Sequence, residues 1–216
     1  MTLRLYYHPF SSYCQKVLIA LYENPIPFEA KIVDLGDAQS RAAFAAVWPL
    51  AKFPVLREEA SGLTIPESTT VIEYLAQHHP GPTELIPADP DAALQARIWD
   101  RFHDNYVQTP MQKIVADRLR PGDRRDPHGL QEARTLLDTA YGIAETEMTS
   151  KTWAAGETFT LADCAAAPAL YYAELVHPFS AGHPRLHSYF QRLMARPSFA
   201  RVVEEAKPYR HFFPQE

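Results

Sequence analysis

The sequence predicts an α/β domain followed by an all-α domain. Three observations carry this. Strand and helix patterns alternate over roughly the first 80 residues, a Pro/Gly-rich stretch interrupts them, and beyond it only helical periodicity remains. The stretch runs from Pro80-Gly81-Pro82 to Ile86-Pro87-Ala88-Asp89-Pro90. The expected organisation is a first domain over 1–80, a linker over 81–90 and a helical domain over 91–216.

Residues 3–7 are apolar and aromatic enough for a first strand, broken by His8-Pro9-Phe10. From Ser11 the apolar residues Val17, Leu18, Ala20 and Leu21 recur at helical spacing until Asn24-Pro25. Residues 28–33 read as a second strand, and 38–47 as an Ala-rich helix stopped by Trp48-Pro49. Residues 55–57 and 63–65, joined at the Ser61-Gly62 turn, read as two more strands. Residues 68–78 form a helix with Val71, Ile72 and Leu75 on one face. The order β-α-β-α-β-β-α is a parallel βαβ unit followed by a hairpin, which gives a four-stranded mixed sheet with helices on its faces. In the second domain, 92–119 is expected as one long amphipathic helix, ended by Arg120-Pro121-Gly122-Asp123. Further helices are expected at 131–149, 160–175, 184–195 and 198–206, the second of these buried on most sides.

Composition excludes several classes of function. A net charge of -5 and a pI near 6.0 argue against a nucleic-acid partner, which needs a basic face. No apolar run approaches the ~18–20 residues of a membrane span. No basic segment followed by an apolar core opens the chain, so no secretory signal is expected. Cys14 and Cys164 do not make a disulfide framework and fit a reducing, cytoplasmic compartment. His78-His79 lacks partners at ligand spacing, so no metal is expected.

The run Ser11-Ser12-Tyr13-Cys14 stands at a helix N-terminus, where free N–H groups and the helix dipole favour an anion. It has the spacing of a dithiol C-x-x-C site with the first sulfur replaced by a hydroxyl. Such a site can stabilise the thiolate of another molecule; equally, a serine there can be a helix cap. In Lys52-Phe53-Pro54-Val55-Leu56, a cis Pro54 would turn the chain and present the Val55 backbone to a peptide-like ligand, whereas a trans Pro54 would only start a strand. Pro66-Glu67-Ser68-Thr69-Thr70 opens a helix. There Ser68 can take a carboxylate and Glu67 an ammonium, or the pair can serve as cap and dipole partner. Thr160 and Asp163 have capping-box spacing and a structural role.

With these four runs in order, the chain resembles the soluble glutathione S-transferases over nearly its whole length. The stretch S-S-Y-C-Q-K-V-L-I-A-L is similar to the serine-type zeta and tau classes and their bacterial members, although Tyr13 departs from the zeta S-S-C-S start. The resemblance implies a thioredoxin-like first domain and a cytoplasmic, homodimeric detoxifying transferase. Glutathione would be the co-substrate and a small apolar electrophile its partner. Ser11, with Ser12 as runner-up, would donate to the glutathione sulfur, Val55 would pair with its cysteinyl backbone, and Glu67 and Ser68 would hold its γ-glutamyl end. Lys52 would meet its glycyl carboxylate. Lowering a thiol pKa from about 8.5 to ~7 makes thiolate a major species at neutral pH. Tyr7, Phe10, Tyr106, Met111 and Ile114 are candidates for the electrophile pocket, and each also has a core reading. Cys14 is a candidate for glutathione-dependent thiol–disulfide exchange, against a buried structural role, and a non-catalytic carrier of glutathione or apolar ligands is the other alternative to a transferase.

Overall fold

The computed structural model describes residues 2–214. Its elements run β1 (Leu3–Tyr7), α1 (Ser12–Glu23), β2 (Glu29–Ile32), α2 (Ala38–Val47), β3 (Val55–Glu58), β4 (Leu63–Pro66) and α3 (Ser68–His78). The chain then continues as α4 (Pro90–Phe102), a π-helical segment (His103–Gln108), α5 (Thr109–Arg118), α6 (Pro127–Glu147), α7 (Leu161–Val176), α8 (Pro184–Ala195) and α9 (Pro197–Ala206), and ends in a 3-10 turn (Lys207–Phe212). The sheet order is β2-β1-β3-β4, with β1 and β2 parallel and the other pairs antiparallel. The predicted α/β-then-helical architecture is therefore the observed one.

Alternation along β1 divides the core. Leu3, Leu5 and Tyr7 face α1 and α3, whereas Tyr6 turns to the other side and packs with Val33, Phe44 and Val55 beneath α2. Helix α1 is buried from Cys14 to Leu21 because the sheet covers one side and α7 and α9 the other. One apolar core thus runs from the sheet to α7, and α1 lies between the two halves. Polar ties add to this docking: the Glu23 carboxylate takes two 2.7 Å bonds from the Arg196 guanidinium. Asp163 makes the capping box with Thr160 and also accepts from the Ala154 N–H and the Tyr189 hydroxyl, fixing the start of α7.

The expected single helix over 92–119 is corrected to two α-helices separated by a π segment. Pro110 explains the interruption. It has no N–H to return to the preceding turn, and its ring crowds the carbonyl four residues back. The helix widens instead, and the Thr109 N–H bonds the Asp104 carbonyl five residues earlier. This widening shifts the facing of every side chain around it.

Candidate functional site

Ser11 is the N-cap of α1, with extended backbone (φ -82, ψ 123) and no side-chain capping bond. Its hydroxyl is not committed to the helix N–H groups. Ser12 is buried, and the Gln108 side-chain amide from the π segment donates to its Oγ at 2.5 Å. Cys14 is fully buried and its sulfur accepts from the His8 N–H at 3.5 Å. Burial pushes this thiol up to about 12, while hydrogen bonds from the His8 backbone and the Ser11 side chain pull the other way. Of the two readings of Cys14, its full burial agrees with the structural one and not with thiol–disulfide exchange, which needs an accessible sulfur.

A cavity of about 600 Å³ opens beside Tyr13. Lys52, Phe53, Pro54, Glu67 and Ser68 line it, so two of the predicted runs meet here. The Phe53–Pro54 peptide is cis. Glu67 has φ 69, in the left-handed region that a residue with a side chain rarely occupies, and it directs α3 and the Ser68 N-terminus toward the cavity. Val55 is corrected. It is fully buried, is registered with Tyr6 on one side and Pro66 on the other, and does not line the cavity. A strand with neighbours on both sides has no free edge. The chain that faces the cavity is the preceding Phe53, outside the ladder.

Sequence reasoning missed the opposite wall, formed by Arg101 and Asp104. Both belong to a buried ionic network. Lys16 Nζ lies 2.5 Å from Asp100 and 2.8 Å from Asp104, and donates to the Thr69 hydroxyl at 2.9 Å. Arg101 reaches Asp100 and Asp104 at 2.6 Å each, and also contacts the Thr69 hydroxyl. Burial pushes the Asp104 carboxyl up, against the pull of Lys16 and Arg101. The available signal was Lys16 itself, a charge inside an otherwise apolar helix run.

On the Phe10 side of the same turn lies a second cavity of about 550 Å³, walled by Phe10, Tyr172, Leu175, Phe213, Arg118 and Arg210. Ser11 and Ser12 sit between the residues that wall the two cavities. Tyr172 fixes this turn: its hydroxyl donates to the Phe10 carbonyl at 2.9 Å and accepts from Gln15 Nε2 at 3.0 Å. Of the five predicted pocket residues, only Phe10 lines this cavity. Tyr7 lines a separate space of about 680 Å³ with Tyr22 and Tyr209. Tyr106 is 49% exposed, and Met111 and Ile114 are in the core at 3% and 2% exposure. The π segment accounts for the last three, because an extra residue in the turn carries Tyr106 outward and the α5 residues inward.

Among the described residues no cluster of His, Cys, Asp and Glu could hold a metal ion, and no helix is long and apolar enough to cross a membrane. Two family models match the chain: the N-terminal domain of glutathione S-transferases over residues 5–83 and the C-terminal domain over residues 103–197. The chain is 30% identical to human glutathione S-transferase theta-1 over 209 residues, spanning 90% of this chain and 83% of that one. It is 26% identical to glutathione S-transferase GstB of Escherichia coli K12 over 195 residues, or 89% of this chain and 93% of the relative. Among solved structures, it superposes on a Methylobacterium radiotolerans glutathione S-transferase in complex with glutathione sulfonate, with a TM-score of 0.82, 32% identity and coverage of 94% and 95%. It also superposes on a Methylobacillus flagellatus enzyme with GSH bound, with a TM-score of 0.85, 27% identity and coverage of 93% and 98%.

Proposed function

The chain belongs to the glutathione S-transferase family and is a glutathione transferase, and from that premise we propose that Ser11 activates glutathione held in the polar cavity for attack on an electrophile in the aromatic one. The observation that carries this reading is the contrast between the two serines. The Ser11 hydroxyl makes no capping bond, and its sulfur neighbour Cys14 is a weak acceptor that it can exchange for a thiolate. Ser12 is buried against Gln108.

In this arrangement Ser68 and the α3 N-terminus take the γ-glutamyl carboxylate, and Glu67 takes its ammonium. The Phe53 backbone, not that of Val55, pairs with the cysteinyl unit, and Lys52 faces the glycyl carboxylate. The sulfur then lies at Ser11 and at the positive end of α1. No metal enters the scheme. A reducing cytoplasmic compartment, which keeps both cysteines as thiols, and a role in detoxification belong to the same reading. So does a homodimer, supported by exposed Leu94 and Ile98 on α4; a solution mass of twice 24.5 kDa checks it.

The test is an ultraviolet titration of bound glutathione. In the wild-type protein thiolate is expected to form near pH ~7, against about 8.5 for the free thiol. Ser11→Ala should return the titration toward the free value and lower kcat/KM by about thirtyfold if the whole ~1.5 pKa units of stabilisation is lost. Ser12→Ala should retain the shift. The reverse pattern would transfer the role to Ser12.

A further inference from the structure

We propose that the electrophile carries an acidic group, a carboxylate or a sulfonate, on a flat apolar body, and that Arg210 selects it; this deepens the transferase reading and rests on it. The aromatic cavity is a slot of three rings. Phe10 and Tyr172 meet edge-to-face at 5.5 Å, Tyr172 and Phe213 stack at 6.0 Å, and Phe10 and Phe213 lie 6.3 Å apart. Such faces suit a planar body.

The charge at this slot is unusual for the chain. The protein carries 26 acidic and 21 basic residues, yet the described residues lining the slot include two arginines and no carboxylate. Arg118 gives a donor to the Pro214 carbonyl at 3.4 Å. Arg210 makes one long bond, 3.4 Å to the Tyr171 hydroxyl, and no ion pair among the described residues. By contrast Arg97, Arg101, Arg196 and Arg201 each hold a carboxylate within 2.8 Å. The Arg210 fork is thus placed at an aromatic slot with no carboxylate partner among the described residues, which favours a ligand that brings an anion.

The slot also reaches the reacting end, because Phe10 is held by Tyr172 directly before Ser11. With an aryl halide, the glutathione thiolate donates its electron pair to the ring carbon and the C–S bond forms. The carbon–halogen bond then breaks with its pair, releasing halide, while the thiol proton has gone to solvent. The acidic group takes no part in bond making and stays on Arg210.

The experiment compares a chlorodinitrobenzoate, chlorine para to the carboxylate, with its uncharged amide at saturating glutathione, using the full chain. The wild type should prefer the acid by about tenfold in kcat/KM, mainly through KM. Arg210→Gln should bring the ratio close to one, and Arg210→Lys should keep part of it. The same pair is then used to displace fluorescent anilinonaphthalene sulfonate, so that binding is read even without turnover. A ratio near one in the wild type, in both rate and displacement, overturns the proposal; so does a preference that survives in Arg210→Gln. Failure of the transferase reading is seen separately, as loss of the thiolate shift of bound glutathione.

Discussion

The polar and aromatic cavities flank the same four-residue turn and are made in opposite ways. The polar one comes from two short consecutive runs, 52–54 and 66–70, backed by α4 and the π segment. Its charges are paired in advance: Lys16 and Arg101 balance Asp100 and Asp104. The aromatic one draws its walls from 10, 118, 171–175 and 210–213, and its Arg210 faces no carboxylate among the described residues. Backbone geometry and internal pairing therefore define one cavity, and side-chain shape with an open charge defines the other. A single substitution should damage the fold through the first and change specificity through the second.

The largest expected effect is at Lys16. Its side chain is 1% exposed and faces two carboxylates, of which Asp100 is fully buried. Lys16→Met leaves these two charges with Arg101 alone. Breaking a buried pair in this way costs about 3–5 kcal/mol. Denaturant unfolding should show that loss, and Lys16→Met with Asp104→Asn should recover part of it. A loss under about 1 kcal/mol would show that the polar cavity does not depend on its prepaired charges.

Next in size is a pH effect at His103, the first residue of the π segment that backs the polar cavity. Burial pushes its imidazole down to about 4, against the Trp99 carbonyl and Asp100, which raise it. Between an ordinary value of about 6.5 and about 4, the unfolded chain takes up a proton that the folded chain does not. Stability from the neutral ring is therefore complete above pH ~6.5 and is lost as pH falls toward ~4, by up to about 3 kcal/mol. Asp104 and Asp163 are shifted up and work in the opposite sense, so the readout is the difference from His103→Gln. That difference should change with pH over this window; parallel curves would remove His103 from the account.

The same division explains what could be read before the structure was known. Alternation in β1, the cis-proline run and the helix start at Ser68 are local features, and each is written in adjacent residues. The strand start at Val55 is legible in the run, but not that β1 and β4 flank this strand on both sides and leave Phe53 to face the cavity. Tyr106, Met111 and Ile114 each carry a pocket and a core reading in the sequence, and the π segment before Pro110, which separates an exposed Tyr106 from the buried Met111 and Ile114, is not written in any local pattern. The pairing of Lys16 with Asp100 and Asp104 needs α1 and α4 in contact, which no local pattern specifies. Neither does the meeting of Phe10, Tyr172 and Phe213, which are more than 200 residues apart at the extremes.

The smallest effect sharpens the comparison most. Tyr172→Phe keeps the ring and removes the hydroxyl that holds the Phe10 carbonyl. Gln15 loses one acceptor but retains the Pro9 carbonyl at 3.0 Å. The stability loss should be about 1 kcal/mol, the usual scale for one hydrogen bond. Because Tyr172 touches only the aromatic side of the turn, KM for the electrophile should rise a few-fold while glutathione affinity stays put. If glutathione affinity falls by the same factor, the turn transmits strain from one cavity to the other, and the two sites work as a single unit joined through Ser11.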